Sequence, residues 1–362
     1  MSSHQIRFGR WLLALALFAA TIGSLAVGGD AALAASKAHC TSTIEAGTHV
    51  LEVDGYDVLL YVPESAAKKH VPLVVNLHGS GSTGAQMLAD EIVNWDGAIF
   101  SYGGTSAADA NGFAVLAPTG VAAPMFSGYQ WNVPGVPLFQ GLPLQNDRDD
   151  VEFIEHAIDA AADAMCIDLA RVYATGLSGG ARMASQLACD LADRLAAVAP
   201  IAGIRFPLES DAALGLPDSA DCDPARQIPI LTIHGLLDPV NVWADTPPDV
   251  DPGWTINPVV EGTSWSYSGE TAVARWVEHN SCRSTPRVTT MTDNIDLVEY
   301  RACHNNADVT VVMVNDGGHT IPGYPLPWAP GQANMEVDGN EVAWDLLASY
   351  RLPGKYVAAL SK

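Results

Sequence analysis

Residues 171–190 read RVYATGLSGGARMASQLACD: an apolar, strand-like run, a serine flanked by glycines, then a stretch with helical apolar spacing. A strand that turns directly into a helix within five residues leaves little conformational choice. It requires a tight turn at the top of a sheet, with Ser178 projecting from strained backbone angles. Gly176 and Gly180 lie two residues to either side, which lets strand and helix pass without Cβ clashes. In a chain with 32 Gly the spacing G-x-S-x-G is weak taken alone. Its position at a strand-to-helix junction gives it weight.

The surrounding pattern predicts the layers that such a turn needs. THVLEVDGYDVLLYVP holds two alternating apolar runs around Asp54-Gly55, a hairpin signal. PLVVNLHG (72–79) and FAVLAPTG (113–120) are continuous apolar runs ending in glycine, as strands buried on both faces do. A helix is predicted between them over 84–100. DDVEFIEHAIDAAADAM (149–165) places Val151, Ile154, Ile158 and Ala162 on one helical face, with Asp149 as N-cap and Glu152 completing a capping-box pattern. LAAVAPIAG, IPILTIHG, DLVEYRAC and VTVVMVNDGGH read as further strands, GETAVARWVEHNSC and 340–350 as helices. This alternation predicts an α/β fold with a mainly parallel, doubly wound sheet and an N-terminal hairpin. Ligands of such sheets collect at the carboxyl ends of the strands.

A nucleophilic serine needs a base, and the base an orienting acid, in the chain order Ser, Asp/Glu, His on this architecture. ILTIHGLLDPVN presents Asp238 just after a strand, and VMVNDGGHTIPG presents His319 in a glycine-rich loop after another. His319 would accept the serine proton, and Asp238 would hold the imidazole tautomer and stabilise its charged form. Asp316 is a rival for the acid, and His234 and His304 for the base; Asp238 is favoured because it follows its strand directly. The backbone N–H of Gly179 is expected to supply one oxyanion donor, and that of Ser80, in LHGSGSTGA, the second. GSGSTGA lacks the lysine of a phosphate-binding loop.

The first 35 residues carry Arg7 and Arg10, an apolar run from Trp11 to about Val27, and small residues at Ala32, Ala34 and Ala35. They read as a secretory signal, leaving 36–362 as a single catalytic domain. An uncleaved anchor is the rival reading, disfavoured by Gly23, Ser24, Gly28 and Gly29 within the run. Without that segment the chain holds 16 basic and 40 acidic residues, a net charge of −24. So acidic a surface repels phosphate backbones and anionic lipid, so neither nucleic acid nor a membrane surface is expected as partner. The oligomeric state stays open. Six cysteines in an exported chain suggest three disulfides, with fifteen pairings open. No C-x-x-C pair occurs, and no metal or cofactor is expected. Long loops at 120–148, 239–264 and 320–337 hold Trp131, Trp243, Trp254 and Trp328 with much of the proline. Trp131, Trp243 and Trp254 are candidate substrate contacts; the alternative is that they pin their own loops.

Taken together, PLVVNLHGSGSTGA, WN at 131–132, DDVEFI, RVYATGLSGGARMASQLACDLADRLAAVAPIAG, IPILTIHGLLDPVN and GGHTIPG resemble the α/β-hydrolase superfamily. More narrowly, they are similar to secreted esterases that join feruloyl esterases with short polyhydroxybutyrate depolymerases. The resemblance spans roughly residues 45–350 and implies nucleophile, acid and base at Ser178, Asp238 and His319. It also implies a Cys282–Cys303 pair, with Cys189–Cys222 and Cys40–Cys166 to follow. Gly179, Ile321 and Gln130 depart from the family's usual residues, which leaves the chemistry in place and the substrate open. The implied activity is ester hydrolysis through an acyl-enzyme, on feruloyl or acetyl esters of plant polysaccharide, or alternatively on hydroxyalkanoate polyesters. A non-catalytic binding protein of this fold would need a broken triad, and none is visible.

Overall fold

The run VPLVVNL becomes a strand buried on both faces, and the chain on either side of it alternates strands with helices. The computed structural model describes residues 44–66, 69–89, 92–93, 99–100, 104–123, 128–133, 147–206, 222–244, 268–325 and 331–360. The predicted signal segment lies outside them. The chain opens with the hairpin β1 (Gly47–Val53) and β2 (Tyr56–Val62), then β3 (Val71–Leu77), α1 (Gly84–Leu88), the short pair β4 (Ile92–Val93) and β5 (Ile99–Phe100), α2 (Gly104–Asn111) and β6 (Ala114–Ala117). It continues with β7 (Val121–Ala123), β8 (Gly128–Gln130), α3 (Asp150–Ala164), β9 (Ile167–Leu177), α4 (Gly179–Asp190), β10 (Ala197–Ile201) and β11 (Ile230–Gly235). Last come α5 (Gly269–His279), β12 (Arg287–Thr290), β13 (Ile295–Tyr300), β14 (Val309–Val314), α6 (Gly339–Leu347) and α7 (Gly354–Leu360).

Among the described residues ten strands form one sheet in the order β1-β2-β6-β3-β9-β10-β11-β14-β13-β12. The six from β6 to β14 run parallel. The hairpin joins antiparallel at one end, and β13 and β12 at the other. Helices α3, α4 and α5 cover one face, where Phe153, Ile154, Met183 and Trp276 pack under the sheet. On the opposite face α2 and α6 bury Ala108, Ala343 and Leu347. Each fully buried large apolar side chain contributes about 1.5–3 kcal/mol. Alternation in β1 leaves every second residue outward, as an edge strand with one solvated face requires.

Some boundaries differ from expectation. The helix predicted over 84–100 stops at Leu88, because Ala89 turns extended, and Ile92–Val93 pairs with Ile99–Phe100 instead. The complete capping box belongs to Thr83 and Gln86 at the start of α1; Asp149 caps α3 by accepting from the Val151 and Glu152 N–H groups. Cys189–Cys222 and Cys282–Cys303 are bonded. Cys166 is also in a disulfide, and its expected partner Cys40 lies outside the described residues. Among the described residues no helix is long and apolar enough to cross a membrane.

Candidate active site

Ser178 stands between β9 and α4 at φ 55°, ψ −112°, partly exposed, its side chain making no hydrogen bond among the described residues. A non-glycine residue there carries about 1–3 kcal/mol of backbone strain, held by the structure around it. Its N–H donates to Ile201 O at 3.0 Å and its carbonyl accepts from Arg182 N at 3.1 Å. The flanking glycines are steric necessities: a Cβ on Gly176 would stand 2.6 Å from Leu77 O, and one on Gly180 2.0 Å from the same atom. Strand β3 and the start of α4 can therefore close on the turn only without those side chains.

Asp238 follows β11 after Leu236-Leu237, and His319 follows β14 across the neighbouring loop; the two loops are stitched by Leu237 N donating to Gly317 O at 2.9 Å. The His319 Nδ1–H donates to Asp238 Oδ2 at 2.8 Å, and both side chains are buried. The other carboxylate oxygen accepts the N–H groups of Val240 at 2.8 Å and Asn241 at 2.9 Å. Burial opposes ionisation of Asp238, but the charge and hydrogen bond of His319 outweigh it and hold the carboxyl below its ordinary range. With Nδ1 committed, His319 Nε2 is the nitrogen open to a proton, and it makes no hydrogen bond among the described residues.

The rivals are placed elsewhere. Asp316 accepts from the Asn334 amide at 2.9 Å, and His304 is exposed on the turn after Cys303. His234 is buried behind Asp238: its Nε2–H donates to Asn241 O at 2.7 Å, and the same atom is 3.7 Å from Asp238 Oδ2. Burial lowers its pKa, against the pull of Asp238, so it is neutral.

The loop after β3 is held from below. His78 is buried; Gly120 N–H donates to its Nε2 at 2.9 Å, so Nδ1 carries the proton and donates to Gly79 O at 2.8 Å. Burial drives the pKa of His78 down to about 4. The indole N–H of Trp131 donates to His78 O at 2.8 Å. Next to it, Asn132 N donates to Asp150 Oδ2 and Arg148 Nε to Asp150 Oδ1, both at 2.6 Å. The WN and DD motifs thus form a strut beneath the loop that carries Ser80. Above that strut, a Cβ built on Gly179 would meet Ser80 N at 3.1 Å, so the two expected oxyanion residues are neighbours.

No family model matches the chain. It is 29% identical over 287 residues to feruloyl esterase B of Piromyces equi, covering 79% of this chain and 43% of that one. It is 28% identical to the putative esterase NocK of Nocardia uniformis subsp. tsuyamanensis, over 76% of this chain and 74% of the relative. A poly(3-hydroxyoctanoate) depolymerase of Pseudomonas fluorescens is 32% identical over 37% of this chain and 44% of its own length. The fold superposes on acetyl xylan esterase from Aspergillus awamori with a TM-score of 0.52 at 13% identity, covering 83% of this chain and 99% of that one. The chain has the α/β-hydrolase fold and is similar in sequence to esterases. It spans less than half the length of the Piromyces equi relative.

Within this fold the three predicted tryptophan contacts separate. Trp131 is buried and gives its N–H to the strut, so it offers no face to a substrate. Trp243 is half-buried, wedged between the His234 ring at 5.2 Å and the start of α5. Trp254 lies outside the described residues. An aromatic that sequence reasoning missed is Tyr129. It is 37% exposed on β8, and its carbonyl accepts Gly81 N–H at 2.8 Å, one residue past Ser80. No sequence signal marks it: in the three-residue strand the polar Gln130 faces inward and Tyr129 outward, the reverse of an apolar-in alternation.

Proposed function

We propose that this α/β-hydrolase is a secreted serine carboxylic-ester hydrolase that works through an acyl-enzyme. Ser178 Oγ attacks the ester carbonyl carbon while His319 Nε2 takes the hydroxyl proton. The Asp238 carboxylate stabilises the imidazolium, and the N–H groups of Gly179 and Ser80 receive the developing oxyanion. Collapse breaks the bond to the alcohol oxygen, which leaves with the proton from His319. Water then repeats the sequence against the acyl-enzyme and frees the acid and Ser178. The observation that carries the reading is the 2.8 Å contact between Asp238 and His319, two residues 81 positions apart, on the same sheet edge as the strained turn of Ser178. Export is supported by the charge pattern of residues 1–35 and by the disulfides.

The substrate class best supported is a feruloyl or acetyl ester of plant polysaccharide. The names of the Piromyces equi and Aspergillus awamori proteins point that way, and the exposed ring of Tyr129 can lie against a phenolic or sugar face. The Pseudomonas fluorescens relative favours a second reading, hydrolysis of a hydroxyalkanoate polyester or its oligomers. Methyl ferulate, acetylated xylan, tributyrin and hydroxybutyrate oligomers, assayed side by side with wild type and Ser178→Ala, separate the two. Hydrolysis of any of them by Ser178→Ala at the wild-type rate removes the acyl-enzyme reading.

A further inference from the structure

Ser80 is exposed in the turn after β3, and both of its polar donors border Gly179. A Cβ built on Gly179 would stand 2.5 Å from Ser80 Oγ, 3.1 Å from Ser80 N and 3.6 Å from Ser80 Cβ. Gly179 is the first residue of α4, outside the left-handed region, so its backbone does not call for glycine. The neighbouring hydroxyl does. Real side chains essentially never come that close, so any residue larger than glycine at 179 must push the Ser80 Oγ aside.

The other hydroxyls of this loop are committed. Ser82 Oγ donates to Gln86 Oε1 at 2.7 Å, Thr83 Oγ1 caps α1, and Thr119 Oγ1 accepts Gly84 N–H at 3.0 Å. Ser80 Oγ makes no hydrogen bond among the described residues. It is a donor without structural duty, lying against the residue that follows the nucleophile, at the N-terminal end of a twelve-residue helix.

We infer that the Ser80 hydroxyl is a third oxyanion donor, beside the N–H groups of Ser80 and Gly179, and that glycine at 179 keeps its place open. This rests on the acyl-enzyme reading above. A tetrahedral oxyanion can accept three hydrogen bonds where the planar ester carbonyl accepts two well, so a third donor acts more on the transition state than on bound substrate. The hydroxyl keeps its own proton throughout and forms no bond to carbon. Rotation about its Cα–Cβ bond lets it follow the oxygen as the centre becomes tetrahedral.

The test compares Ser80→Ala, Ser80→Thr, Gly179→Ala and the double variant S80A/G179A on p-nitrophenyl acetate, with thermal melts alongside. Ser80→Ala keeps the backbone N–H and is expected to lower kcat on the order of 100-fold with KM within about twofold. Ser80→Thr keeps a hydroxyl and should recover most of that loss. Gly179→Ala displaces the same group, so the double variant should fall no further than the worse single one. Phosphylation of Ser178 by diethyl p-nitrophenyl phosphate, which builds negative charge on the equivalent oxygen, should slow in parallel. Ser80→Ala within about threefold of wild type, or losses that multiply in the double variant, would overturn the inference. If Gly179→Ala does not fold, the alanine–threonine pair at 80 decides. Ser178→Ala in the same assay keeps the two readings apart: activity retained there sinks the acyl-enzyme, while a dead Ser178→Ala with an undiminished Ser80→Ala sinks only the hydroxyl.

Discussion

The guanidinium of Arg182, one turn into the helix that follows Ser178, donates to the side-chain carbonyl of Asn241 on the loop that carries Asp238. Asn241 uses its remaining groups on the same junction. Its amide donates to Ala202 O at 2.5 Å, its N–H to Asp238 Oδ1 at 2.9 Å, and its backbone carbonyl receives His234 Nε2 at 2.7 Å. One side chain thus ties α4, the end of β10 and the acid loop together.

Asn241→Ala is expected to lower kcat on the order of 10- to 100-fold, because a displacement of about 1 Å at the acid is enough to misalign the base. The melt should drop by the equivalent of about 1–3 kcal/mol as the amide's partners lose their bonds. Kinetics and calorimetry on one preparation check both. Wild-type kcat would show that the acid loop needs no such tie.

Asp238→Asn should leave the fold intact and reduce kcat by about 10⁴-fold. The amide can donate to Nδ1 and so favours the tautomer whose Nε2 already holds a proton. Steady-state hydrolysis of p-nitrophenyl acetate measures it. A loss below tenfold would reassign the acid.

His78 links stability to pH. Its folded pKa, about 4, lies below the ordinary imidazole value of 6.5, so the unfolded chain binds the extra proton between those values. Its contribution is complete above about 6.5 and is lost as pH falls toward 4, amounting to about 3 kcal/mol in all. Chemical denaturation across that window should show the slope in wild type and a flatter one in His78→Asn. Parallel slopes would exclude His78 as the source.

Tyr129→Ala is predicted to raise KM for methyl ferulate about five- to tenfold and to leave p-nitrophenyl acetate unchanged, since only the larger acid reaches the ring. Equal effects on both esters would make Tyr129 a part of the loop's architecture instead.

The positions of the proposed catalytic residues were legible because each sits in a local pattern that physics restricts. Gly176 and Gly180 are demanded by Leu77 O, and Asp238 and His319 each lie in the loop that follows a buried parallel strand. The substrate side was not legible. Trp131 looked like a binding surface because indole is common there, yet its N–H went to His78 O; Tyr129 drew no notice because an exposed aromatic in a short strand has no sequence periodicity. The polar strand β12 and helix α7 were missed for a related reason. RVTT gains its shape from pairing with β13, and the α7 segment from docking, with Tyr356 OH donating to Ala225 O at 3.0 Å and Leu352 N to Ala170 O at 2.8 Å. Tertiary contacts of this kind leave no trace in local spacing.

The left-handed backbone at Ser178 has a consequence for anyone evolving this protein. Glycine adopts φ near 55° freely, so Ser178→Gly should raise the melting stability by about 1 kcal/mol while abolishing turnover. A screen that rewards heat tolerance alone will therefore drift toward catalytically dead sequences at this position. Any thermostabilisation campaign must score hydrolysis in the same round.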